Sequence, residues 1–153
     1  MSADGDGGSG PIVFAYDGSE LAKLAIDEAG GLLEPGLQAV VLTAWQPFEV
    51  GFIPAAGLQF DAADATAVKH AALQTAAEGA SLAEGVGFRA QSAEIQAAPT
   101  WKGIVKFAEE RDARLIVLGS HGRSGIAGAV IGSIAGTVSS HCKRSVLIVH
   151  RRS

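Results

Sequence analysis

A chain of 153 residues with a formal charge of −4 and an isoelectric point near 5.5 can bury about two thirds of its unfolded surface in one domain. Its acidic balance excludes a general nucleic-acid binder, whose footprint is a basic face of clustered Lys and Arg, and no apolar run approaches the roughly 20 residues that span a bilayer. The single cysteine, Cys142, leaves no intramolecular disulfide, and the start of the chain lacks the basic and apolar regions of a secretory leader, so a reducing cytoplasm is expected.

Residues 1–10 (MSADGDGGSG) have almost nothing to bury and read as a flexible arm ahead of a domain over residues 11–153. Their GxGxxG spacing (Gly5, Gly7, Gly10) precedes the first strand instead of following one, so it is a chance match to a dinucleotide fingerprint. Ile12 to Tyr16 reads as a buried strand. Ser19 and Glu20 then supply an N-cap and an early acid for a helix with Leu21, Leu24, Ala25, Ala29 and Leu32 on its apolar side, closed by Gly30, Gly31 and Pro35-Gly36. Ala39 to Trp45 is the second strand. Gln46 to Phe60 is a Pro- and Gly-containing connection longer than most, a length that often accompanies function.

Asp61 to Gly85 is Ala-rich and helical in pattern, offering Val68, Ala71, Ala72, Leu73 and Ala76 for burial, with Gly79 weakening its second half. Phe88 to Ala97 is a less hydrophobic strand and so an edge. Pro99 suits the first turn of a helix over Thr100 to Asp112, with Ile104, Val105 and Ala108 inward. Leu115 to Leu118 is the fourth strand, Gly132 to Cys142 a short helix with Ile134 and Val138 on one side, and Val146 to Val149 the fifth strand.

Strands alternating with helices imply an open parallel sheet covered on both faces: the class is α/β, doubly wound and Rossmann-like, with five strands. Ligands of such sheets bind beyond the carboxyl ends of the strands, where the strand order reverses. The residues there are Asp17, Ala44 with Trp45, and Gly119 onward.

The stretch after the fourth strand is the most informative. Gly119, Gly122, Gly125, Gly128 and Gly132 form a loop whose backbone N–H groups can close around phosphate oxygens, and a helix starting near Gly132 aims its positive end at an anion. All 16 acidic residues lie at or before Asp112, while six of the twelve basic residues follow it, so nothing fixed and negative in residues 113–153 repels a phosphate. No lysine follows a glycine, which rejects a P-loop, and the position after the fourth strand rejects a dinucleotide site.

Gly119-x-x-Gly122, nine residues, then Gly132-Ser133 matches the GxxG-x9-G[ST] ATP-binding motif of the universal stress protein family. Phe14-Ala-Tyr-Asp-Gly-Ser19 resembles the family's first strand and turn, Arg114 to Gly119 its fourth strand, and Ser145 to His150 its last. The resemblance implies a strand order of 3-2-1-4-5 and a cytoplasmic, ATP-binding stress-response regulator. AMP, ADP or cyclic AMP are alternative ligands, and Mg²⁺ or Mn²⁺ would be held by the phosphates. By the same resemblance, Ala15 and Asp17 meet base and ribose, although Asp17 could instead only cap the helix that follows, and Ala44 reads the adenine edge through its backbone. Gly119 and Gly122 contact phosphate and ribose, Gly132, Ser133 and Ile134 hold the terminal phosphates, and Arg123 is either a movable cation or a solvated one. The family also implies a homodimer through the last strand, at Val146, Ile148 and His150, where a core strand is the alternative reading. Two positions depart from the family's wording: Leu147 stands where Pro is frequent, and Gly136 where a charged residue is.

His70, His121, His141 and His150 have no metal-ligand spacing with Cys142 or with clustered acids. His121 reads as a solvated loop residue. Trp45 either lies over the base or packs, and Trp101 packs on the sheet edge. No nucleophile elbow or triad is present, and no base and cation pair suited to fast hydrolysis stands outside the loop. Slow hydrolysis, autophosphorylation, or a nucleotide-independent dimeric interaction protein are the alternative functions.

Overall fold

The computed structural model describes residues 9–46, 62–122 and 131–152. Five parallel strands, β1 (Ile12–Ala15), β2 (Gln38–Trp45), β3 (Arg89–Gln96), β4 (Leu115–Gly119) and β5 (Ser145–Val149), form one sheet in the order β3-β2-β1-β4-β5. Helices α1 (Glu20–Leu32), α2 (Ala62–Gly85), α3 (Thr100–Glu110) and α4 (Ser133–His141) alternate with them. The expected class and strand order are both found, and the less hydrophobic third strand is an edge.

Side-chain alternation along β1 assigns the two faces. Ile12, Phe14 and Tyr16 pack with α1 and α2, whereas Val13 packs with α3 and α4. Both layers are continuous because β1 and β4 sit centrally, with Ile12, Val13, Phe14, Ile116 and Val117 all at most 1% exposed. Fully burying a side chain of this size contributes roughly 1.5–3 kcal/mol.

Several inward positions differ from the sequence reading. Helix α1 continues through Gly30 and Gly31, and Leu32 at its end is 65% exposed. The cap residue Leu33 donates its N–H to the Ala29 carbonyl, and its side chain, not that of Leu32, packs against the core. In α2, Ala72 and Ala76 are buried as expected and Ala80 and Ala83 extend their stripe, whereas Ala71 and Leu73 face water. Gly79 belongs to that stripe: a Cβ there would stand 2.6 Å from Val41 Cγ1 and 2.8 Å from Tyr16 Cδ1. The glycine that weakens the helix locally thus lets it lie close to the sheet. In α4 the buried pair is Ala135 and Val138, and Ile134 is 40% exposed, so only Val138 of the two expected residues faces inward. Most of the long connection after β2 lies outside the described residues.

Candidate nucleotide site

Strand β1 pairs with β2 on one side and β4 on the other, so the chain reverses its winding here and the helices diverge beyond the carboxyl ends. The residues leaving β1 are tightly held. Tyr16 donates its N–H to the Leu42 carbonyl at 2.9 Å, and its own carbonyl accepts from buried Thr43 Oγ1 at 2.9 Å. Its phenol donates to Glu78 Oε1 at 2.6 Å, and Glu78 also lies 3.7 Å from Lys23 Nζ. Burial first, then the Glu78 hydrogen bond and charge, then the charges of Asp17 and Glu20, push the phenol pKa well above its ordinary value.

This anchoring presents Asp17. Oδ1 accepts from the Ser19 N–H at 2.9 Å, and Ser19 Oγ in turn accepts from the Ala22 N–H at 3.2 Å, capping α1. The cap is therefore Ser19, while Asp17 shapes the turn before it. Asp17 also faces the glycine stretch across the switch point: a Cβ on Gly122 would stand 2.7 Å from Asp17 Oδ2. Ala15 ends β1 opposite Leu42, and Ala44 follows Thr43 on the neighbouring strand.

At the end of β4, Gly119 lies under the first turn of α1, where a Cβ would stand 2.9 Å from Leu21 Cγ and 3.2 Å from the Leu21 carbonyl. Ser120, only 2% exposed, donates its N–H to the Val149 carbonyl at 2.8 Å. Its carbonyl accepts from the Gly132 N–H at 2.5 Å. The chain thus leaves the sheet at His121 and returns beside the same point at Gly132. Any Cβ on Gly132 would stand 3.0 Å from the Ser120 carbonyl oxygen.

Helix α4 begins directly from this clamp. Gly132 is its N-cap, with no side-chain capping bond and no acid in the first turn. The opening N–H groups at Ser133, Ile134 and Ala135 precede the first 5→1 bond, from Gly136 N–H to the Gly132 carbonyl at 2.9 Å. Such an end attracts anions. Ser133 and Ile134 are both exposed there.

The structure therefore brings Ala15, Asp17, Ala44, Gly119, Gly122, Gly132, Ser133 and Ile134 to the carboxyl end of the sheet, and Arg123 lies outside the described residues. His121 differs from expectation: its Nε2 is buried with no hydrogen-bond partner among the described residues, and its Nδ1 lies 3.2 Å from Ser120 Oγ. The Ser120–Gly132 clamp brings residues distant in sequence together, so no local pattern announced this burial. Trp45 is a packing residue whose Nε1–H donates to Glu94 Oε2 at 2.6 Å. Trp101 lies against His141 of α4, ring centroids 4.7 Å apart. Among the described residues, no group of three His, Cys, Asp or Glu could hold a metal ion, and no helix is long and apolar enough to cross a membrane.

The universal stress protein family model matches residues 9–150. Universal stress protein Rv2005c of Mycobacterium tuberculosis H37Rv is 32% identical over 155 residues, covering 94% of this chain and 46% of the relative. The chain thus spans about half the length of that relative. Among solved structures, hypothetical protein MJ0577 superposes with a TM-score of 0.76 at 21% identity, covering 94% of this chain and 96% of its own. A universal stress protein in complex with cAMP superposes with a TM-score of 0.64 at 27% identity, covering 94% of this chain and 98% of its own.

Proposed function

Since the chain belongs to the universal stress protein family, we propose that it is a cytoplasmic stress-response regulator that binds an adenine nucleotide, ATP foremost, where the carboxyl ends of β1 and β4 meet the start of α4. The observation that carries this reading is the meeting of three features at one point. The Asp17 carboxylate faces Gly122 within the reach of a single added carbon, the Ser120–Gly132 clamp closes the neck of the loop, and α4 opens without a side-chain cap. A carboxylate suits ribose hydroxyls, and uncapped N–H groups suit phosphate. The cAMP complex of the 27% identical structure supports an adenine ligand.

In this reading Ala15, Asp17 and the Ala44 backbone receive the nucleoside, Gly119 and Gly122 lie along ribose and phosphate, and Gly132, Ser133 and Ile134 hold the phosphate end, with Arg123 as an added cation. A divalent cation, Mg²⁺ or Mn²⁺, would neutralise a bound triphosphate. The chain's own residues position and retain the ligand; regulation follows if the loaded protein is stabilised in an arrangement that a partner or a second copy reads.

The second part of the proposal is a homodimer through β5. It is supported by that strand's place at the sheet edge and by Val146, Leu147 and Ile148, which are only half buried, with His150 exposed at its end.

Mass spectrometry of ligand released from the purified protein, with calorimetry using ATP, ADP, AMP and cyclic AMP, tests the nucleotide reading. Micromolar binding of one of them is expected. No heat at millimolar concentration of any would leave the nucleotide-independent interaction protein as the better reading, and turnover above a few per minute with Mg²⁺ would move it to the enzymes.

A further inference from the structure

The unpartnered ring nitrogen of His121 carries more information than its burial alone. Ser120 is 2% exposed, and its hydroxyl has His121 Nδ1 as its one side-chain hydrogen-bond partner among the described residues, at 3.2 Å. A buried hydroxyl needs an acceptor, and Nδ1 serves only when it carries no proton. The neutral ring then holds its proton on Nε2. That Nε2–H is a buried donor with no acceptor among the described residues.

Its surroundings define the acceptor it suits. Cδ2, bonded to Nε2, lies 3.6 Å from the position of a Cβ on Gly132, so this edge of the ring is turned toward the start of α4. That helix start has neither a side-chain cap nor a first-turn acid. Asp17, the carboxylate that faces neighbouring Gly122, already accepts the Ser19 N–H. A fixed N–H beside the positive end of a helix is a recognition element for an anionic oxygen.

We propose that His121 reads the phosphate of the bound nucleotide, donating from Nε2–H to a phosphate oxygen at the start of α4, with Ser120 as the positioning residue that sets the tautomer. This rests on the nucleotide reading above and adds to it a side-chain contact that discriminates nucleotide from nucleoside.

The test uses the full chain labelled with ¹⁵N-histidine. The His121 signals should report the Nε2–H tautomer in the free protein, and Nε2 should shift on adding AMP but not adenosine. By calorimetry, His121→Ala should weaken AMP roughly ten-fold or more while leaving adenosine unchanged. His121→Gln, which keeps a donor near the Nε2 position, should recover part of the loss, and Ser120→Ala should give a mixed tautomer and an intermediate affinity. If His121→Ala does not fold, the wild-type spectra and His121→Gln still decide the matter. An Nδ1–H tautomer in the wild type, an Nε2 signal indifferent to AMP, or equal losses for AMP and adenosine would overturn the inference alone. Absence of any nucleotide binding by the wild type would overturn the nucleotide reading, and this inference with it.

Discussion

Gly122 shows how much a single hydrogen atom decides at this site. A methyl group there would stand 2.7 Å from Asp17 Oδ2, so Gly122→Ala must displace the carboxylate or the backbone that faces it. Gly122 is itself exposed, so the displacement falls on the proposed site and leaves the core alone. Isothermal titration should show the variant losing at least ten-fold in nucleotide affinity with a melting temperature within a few degrees of wild type. Gly132→Val, whose Cβ would press on the Ser120 carbonyl, should lose more affinity; retained binding in both would place the site elsewhere. Tyr16 offers a pH test. Its phenol pKa is raised on folding, so above the ordinary value near 10 the native state binds more protons than the unfolded chain, and stability falls as pH rises. Urea titrations should find this group's contribution constant below about pH 10 and declining above it, by at most about 1.4 kcal/mol per pH unit. Tyr16→Phe should flatten that decline, and should lower stability at neutral pH by about 1–2 kcal/mol through loss of the Glu78 hydrogen bond. Of these residues, Asp17 and the glycines were legible because a β-strand followed by Asp-Gly-Ser and a GxxG spacing are local patterns. Glu78 was not, since it meets Tyr16 across 62 positions of chain.

At the level of elements, α2 displays where periodicity stops being informative. With so many alanines, several faces of that helix satisfy a 3.6-residue repeat, and the sequence pattern placed Ala71 and Leu73 inward alongside Ala72 and Ala76, where the sheet takes only the latter pair, continued by Ala80 and Ala83. Small residues win this face because the helix lies close to Val41 and Tyr16, as Gly79 requires. Replacing Gly79 by Ala sets two effects against each other: helix propensity gains about 1 kcal/mol, and overpacking a filled interior costs about 1–3 kcal/mol. The two closest atoms belong to buried side chains, so overpacking should prevail. Thermal unfolding of Gly79→Ala is expected to shift down by a few degrees, and an increase would show that α2 can retreat from the sheet without loss. The strands were read more faithfully, since buried parallel strands are short apolar runs bounded by turn residues. Ile134 was misassigned because α4 is only nine residues long, too short for its apolar stripe to be resolved from sequence.

For the molecule as a whole, the two sheet edges differ in kind. Along β3 the outermost strand carries Arg89, Gln91, Ser92, Glu94 and Gln96, polar groups of the sort that discourage further pairing, whereas β5 offers Val146, Leu147 and Ile148 in succession. The contrast supports association through β5 and not through β3. Light scattering should give a dimer mass for the wild type, and Ile148→Asp should give a monomer; an unchanged mass in a folded variant would move the interface elsewhere. The whole-chain charge division, with every acid at or before Asp112, was visible in the order of the residues, and the acid-free segment includes α4, which opens at the carboxyl end of the sheet.

The hydrogen bond from Gly132 to the Ser120 carbonyl also has a consequence for how this chain can be altered. It makes Ser120 a shared node, whose carbonyl holds the start of α4 while its N–H holds the Val149 carbonyl at the end of β5. An alteration at the end of β5 that moves Val149 is thus transmitted through one backbone unit to the start of α4, so the two cannot be redesigned independently.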